Sequence, residues 1–66
     1  MAIHKVIEVS EVSTESFEDA VRKAVKDVSK TVKNIKSVYV REFLADVSGD
    51  SVTSFRVICK ITFEVQ

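Results

Sequence analysis

The sequence predicts an α+β domain, with one helix packed on a three-stranded, antiparallel-rich sheet in the order β-α-β-β. Three observations carry this. From Ser54 to Gln66, Phe55, Val57, Cys59, Ile61, Phe63 and Val65 alternate with mostly polar residues, the period of two of a strand with one apolar face. Upstream, Phe17, Val21, Ala24, Val28, Val32 and Ile35 recur at spacings of three and four, a continuous helical stripe. The single glycine, Gly49, falls in Ser48-Gly49-Asp50-Ser51, between two β-rich runs, where its tolerance of positive φ suits a hairpin turn.

Each element follows in order. Ile3 to Ser10 is rich in β-branched residues (Ile3, Val6, Ile7, Val9) and reads as the first strand. A helix is expected from about Thr14 to Asn34, with Ser13 as N-cap because its hydroxyl can accept an otherwise orphaned amide. Glu15, Glu18 and Asp19 open that stretch while Lys26, Lys30 and Lys33 close it, the order the helix dipole favours. Glu18–Arg22 and Asp19–Lys23 form acid-before-base pairs four apart, each worth a few tenths of a kcal/mol. The second strand is expected from about Ser37 to Val47, and the hairpin turn leads into the last.

That last strand is the most informative segment. Residues 54–66 at about 3.3 Å each would extend roughly 40 Å, about twice the usual strand. One helix covers only part of such a face. The 66 residues fit a single domain spanning 1–66, and a core of that size is marginal without staples or oligomerisation. One cysteine forms no intrachain disulfide, and no Cys/His cluster offers a structural metal site. Self-association is therefore the first functional expectation. Cys59 lies in the apolar register of the last strand and reads as a buried, inert thiol.

Ten basic and ten acidic residues leave the chain formally neutral, which argues against nucleic-acid binding. The N-terminal Met1-Ala2-Ile3-His4-Lys5 has no apolar export segment, and no run is long enough to span a membrane, so a cytoplasmic location without a membrane partner is expected. Catalytic constellations are absent. His4, the one histidine, lies at the start of the chain and reads as solvated. No glycine-rich loop cradles phosphate, and no base is spaced to activate a serine. The expectation is a protein that is not an enzyme. Asp46 to Ser51 only superficially resembles a calcium loop: glycine falls at the fourth place and Val57 at the twelfth. Carboxylates such as Glu42, Asp46 or Asp50 could still contribute to a cation site between subunits. Arg56, on the polar side of the last strand, has two readings. It pairs with a carboxylate across the hairpin, Glu42 being one candidate, or it points into an intersubunit cavity and offers its fork to a carboxylate or phosphate.

The segments Lys5–Val9, Ser13–Val21 and Phe55–Val65, in that order and at this chain length, resemble the dodecins. The resemblance implies a three-stranded sheet wrapped around one helix, and twelve copies closing into a hollow homo-dodecamer. It also implies a small ligand held between subunits, FMN or riboflavin in flavin-binding members, with coenzyme A or a divalent cation in some relatives. In those members a tryptophan at the start of the second strand stacks on the flavin and a glutamine in the last strand bonds its polar edge. These positions fall on Ser37 and Arg56, and the chain contains no tryptophan. The replacements weaken the flavin expectation. A stacked aromatic contributes about 0.5–1.5 kcal/mol beyond its buried area, and arginine donates only where glutamine both donates and accepts. Tyr39 has the strand parity of Ser37 and offers a partial substitute. Ser37, Tyr39 and Arg56 are thus the expected ligand-binding residues; cation binding or a purely structural assembly is the alternative. Glu11-Val12 stands where the family has Gly-Thr, which puts the geometry of the turn before the helix in question.

Overall fold

The computed structural model describes residues 3–65. Four elements follow one another: β1 (Ile3–Ser13), α1 (Phe17–Val28), β2 (Ile35–Ser48) and β3 (Ser51–Val65). The sheet order is β1-β3-β2, and both pairings are antiparallel. The strand whose alternation was clearest in sequence is therefore the central one. Val57, Cys59 and Ile61 of β3 are fully buried against Ala20 and Ala24 of α1. Two alanines on the buried stripe let the helix approach the sheet closely, and Ile7, Val9, Val38 and Val40 complete the same face from the outer strands.

The helix is shorter than its apolar spacing predicts, and its N-cap is Ser16, not Ser13. The Ser16 hydroxyl accepts the Asp19 amide at 2.9 Å. Ser13 has a different task. It ends β1, is 1% exposed, donates to Asp19 Oδ2 at 2.6 Å and accepts the amides of Glu15 and Ser16 at 2.9 and 3.3 Å. Asp19 is thus turned towards Ser13, and Lys23, its expected partner, instead donates to the Val12 carbonyl at 3.2 Å. The other expected pair forms, with Arg22 and Glu18 3.0 Å apart. At the far end Ser29 caps α1, and Asn34 at φ 62° turns the chain into β2. Val32 and Ile35 prolong the apolar spacing because Ile35 already belongs to β2 and packs on the same core.

Register is set by bulges. Gly49, at φ 64°, is the first of two loop residues between the paired Ser48 and Ser51, as a Gly-first hairpin turn favours. One step on, Asp46 pairs with Ser54 and Val47 with Val52, leaving Thr53 as an extra residue on β3. Because strand faces alternate, that single insertion puts Val57, Cys59 and Ile61 on the helix face and Arg56 on the other. Two further irregularities in β2 leave Lys36 and Arg41 without partners in the ladder. β1 runs unbroken through Glu11 and Val12, paired with Val57 and Arg56, so the turn follows Ser13.

The molecule measures 51 × 19 × 14 Å. The twelve-residue helix spans only about 18 Å of that length. Ile3 lies exposed at one end of the sheet, and Val47 and Val52 at the hairpin tip. No helix among the described residues is long and apolar enough to cross a membrane.

Candidate ligand-binding face

The face of the sheet away from α1 is open and can be read row by row from the register. Asp46 stands opposite Ser54; next comes Val12–Arg56–Leu44, then Ser10–Ile58–Glu42, then Glu8–Lys60–Tyr39, then Val6–Thr62–Ser37. Val6, Val12, Leu44 and Tyr39 are exposed here, Tyr39 at 65%. Charged groups cross this surface as ties. Arg41, released from the ladder by its bulge, reaches over β3 to Glu8 on β1 at 2.8 Å and so links the two outer strands. Nothing in the sequence foreshadowed that pair, because Arg41 is placed by an irregularity that spacing does not reveal.

Arg56 is paired, with Asp46 as its partner and not Glu42. Its Nη2 lies 3.2 Å from Asp46 Oδ2, and both side chains are 43% exposed. Glu42 falls one row further on, opposite Ile58. Asp46 Oδ2 also accepts the Ser54 hydroxyl at 2.6 Å. These hydrogen bonds, Ser54's first and then Arg56's, hold the Asp46 carboxyl below the usual carboxylate range, with the Arg56 charge adding to them against some desolvation. The cluster is a preorganised guanidinium with apolar shoulders, Val12 and Leu44, on the neighbouring strands.

The remaining candidates are placed as follows. Cys59 is buried, and burial followed by the Glu11 charge pushes its thiol up, as for an inert thiol. His4 is about half exposed, 4.0 Å from Glu64 across the β1–β3 pair. Within one protomer the three carboxylates considered for a cation between subunits stand apart: Asp46 is engaged by Ser54 and Arg56, Glu42 is two rows away, and Asp50 sits at the hairpin tip accepting from Ser51. Among the described residues no group of three or more metal-ligating side chains comes together.

The family model for dodecins matches residues 3–66. This chain belongs to the dodecin family. Solved dodecins share its fold throughout. An arginine-to-alanine variant of the T. thermophilus dodecin superposes with a TM-score of 0.94 at 21% identity, covering 100% of this chain and 98% of the other. The Streptomyces coelicolor dodecin gives 0.93 at 25% identity over 98% and 93% of the two chains. The Streptomyces davaonensis dodecin gives 0.93 at 20% identity over 98% and 96%. No curated protein sequence matches. Ser37 and Arg56 are far apart on this face. Their partners or positions on β3, Thr62 and Arg56, are six residues apart, about 20 Å along the strand. Tyr39, opposite Lys60, lies between them on the same face.

Proposed function

We propose that this dodecin is the non-enzymatic subunit of a closed homo-oligomeric shell, a hollow dodecamer as in its family, that holds a small ligand between subunits. The observation that carries the assembly is the mismatch between a 51 Å molecule and a helix covering about 18 Å of it. Exposed apolar side chains remain on the open face and at the hairpin tip. These exposed apolar side chains support a surface that other copies cover. The ligand reading is supported by the open face that carries Ser37, Tyr39 and Arg56. Ser37 and Arg56 lie about 20 Å apart in one protomer, so a site using both takes them from different copies.

In this reading Tyr39 supplies the aromatic contact, Ser37 a small polar edge and Arg56 a set of directed donors. Arginine in place of glutamine removes an acceptor, so flavin binding, with riboflavin or FMN, is weaker than in members that retain the tryptophan and glutamine. The test combines two measurements on one preparation. Light scattering coupled to size exclusion is expected to give a mass near twelve times the 7.4 kDa chain; a folded monomer would overturn the shell. Fluorescence titration with riboflavin and FMN is expected to show saturable quenching. Flat titrations at protein concentrations well above micromolar would remove flavin while leaving the assembly to another ligand.

A further inference from the structure

We infer that Asp46 sets the charge selectivity of the Arg56 position, so that the pair accepts neutral, acceptor-bearing ligands and turns away small anions. The inference rests on the reading above, in which Arg56 faces the ligand. An unpaired guanidinium on an open sheet face would attract any anion. Here a carboxylate stands 3.2 Å from Nη2. Arginine carries five N–H donors, and this contact uses one of them, so the group keeps its donors while its net charge is balanced.

The arrangement is built into the hairpin. Ser54 and Arg56 project from the same face of β3, two residues apart, and both donate to Asp46 Oδ2. Ser54 thereby fixes the carboxylate that fixes the arginine. The register that makes this possible comes from the extra residue Thr53, whose hydroxyl donates to the Asp46 carbonyl at 3.2 Å and so holds Asp46 from its backbone side as well. Glu42, one row beyond Arg56 on the same face, adds a second negative group to the surroundings. Of the other cations, Lys23 reaches the Val12 carbonyl from the helix, Arg41 is bound to Glu8, and Lys60 lies two rows from Arg56. On the open face Asp46 therefore balances the charge of a donor-rich group flanked by Val12 and Leu44, with Glu42 one row away. Carbonyl or ring-nitrogen acceptors gain hydrogen bonds in such a place without a charge penalty. An anion meets the carboxylates as well as the guanidinium.

Asp46→Asn keeps an acceptor for Ser54 and Arg56 but deletes the charge, which makes it the decisive variant. The assembled protein, D46N and the D46N/R56Q double variant are titrated with inorganic phosphate by calorimetry at neutral pH and matched ionic strength. Phosphate affinity is expected to rise about 3–10-fold in D46N, the size of one unbalanced charge near a protein surface, and to fall back in the double variant. Equal phosphate binding by wild type and D46N, or a gain that survives removal of Arg56, would overturn the inference. Riboflavin and FMN are run in parallel, and the preference for FMN over riboflavin is expected to increase in D46N. If no variant quenches either flavin, the flavin reading falls, and the phosphate comparison still decides charge selectivity. Ser54→Ala loosens Asp46 without deleting its charge and is expected to give a smaller gain in the same direction. Should D46N fail to assemble, S54A decides by the same criterion.

Discussion

Two serine–aspartate hydrogen bonds of the same length lie at nearly the same level of the sheet, on opposite faces. Ser13 donates to Asp19 at 2.6 Å on the helix face, and Ser54 donates to Asp46 at 2.6 Å on the open face. They are close in register, because Ser13 pairs with Phe55, the neighbour of Ser54. Their surroundings differ. Ser13 is buried and also receives two backbone amides, so its hydroxyl closes the β1–α1 turn. Ser54 holds a carboxylate that keeps a second partner, Arg56, at the surface. One bond therefore completes a fold and the other aims a side chain. Distance does not distinguish them; burial and the remaining partners do.

The comparison can be broken at graded points. The helix face is the more costly to disturb. Ile61→Ala empties part of a fully buried position and is expected to destabilise by about 2–5 kcal/mol, read by thermal or denaturant unfolding at fixed protein concentration. Ser13→Ala is next, at about 1–3 kcal/mol, since it strips a buried turn of the acceptor for two amides; an unchanged unfolding midpoint would remove the distinction between the two bonds. Ser54→Ala is expected to move stability far less, while changing ligand or anion binding at Arg56.

Two pH slopes sharpen the contrast further. The Asp46 carboxyl is held below its usual value in the folded state, so its contribution is present above the ordinary carboxylate pKa of about 4 and is lost as pH falls through the lowered value. Subtracting the acid limb of D46N from that of wild type should isolate this slope. Equal limbs would show that the hydrogen bonds do not favour the ionised form. Cys59 runs the other way. Its thiol is pushed up, so stability is full below the ordinary thiol pKa of about 8.5 and falls as pH rises through the raised value. Cys59→Ser should flatten that alkaline limb, and the wild-type thiol is expected to react with a disulfide reagent only on unfolding.

Much of the fold was legible because alternation and helical spacing report burial directly. Element order, the hairpin at Gly49 and the buried thiol all follow from that. The helix boundaries were not. The apolar spacing ran on through Val32 and Ile35 because the following strand buries the same face, and no proline or glycine marks the stop. Ser13 and Ser16, three residues apart, both offer capping hydroxyls; only the extension of β1 to Ser13 decides between them. Arg56 was legible as either paired across the hairpin or turned into a cavity between subunits; within the chain it is paired, and Thr53 shifts the register so that Asp46, not Glu42, is the partner. Bulges carry no compositional signature as firm as alternation, so whatever depends on them stays hidden in sequence. Ser37 and Arg56 stand about 20 Å apart along the sheet, a separation the sequence did not reveal because it does not fix the register.

The sheet order has a consequence for how the chain is made. β3, the middle strand, is synthesised after both strands it joins, and β1 and β2 do not pair with each other. Until β3 emerges from the ribosome, the chain holds two strands without a ladder and a helix without a floor. The β2–β3 hairpin can close locally as soon as Gly49 is passed, whereas β1 must wait across the helix and the whole of β2 to meet Phe55. Non-local closure of that kind is the slow step. Docking of β1 is thus expected to limit folding.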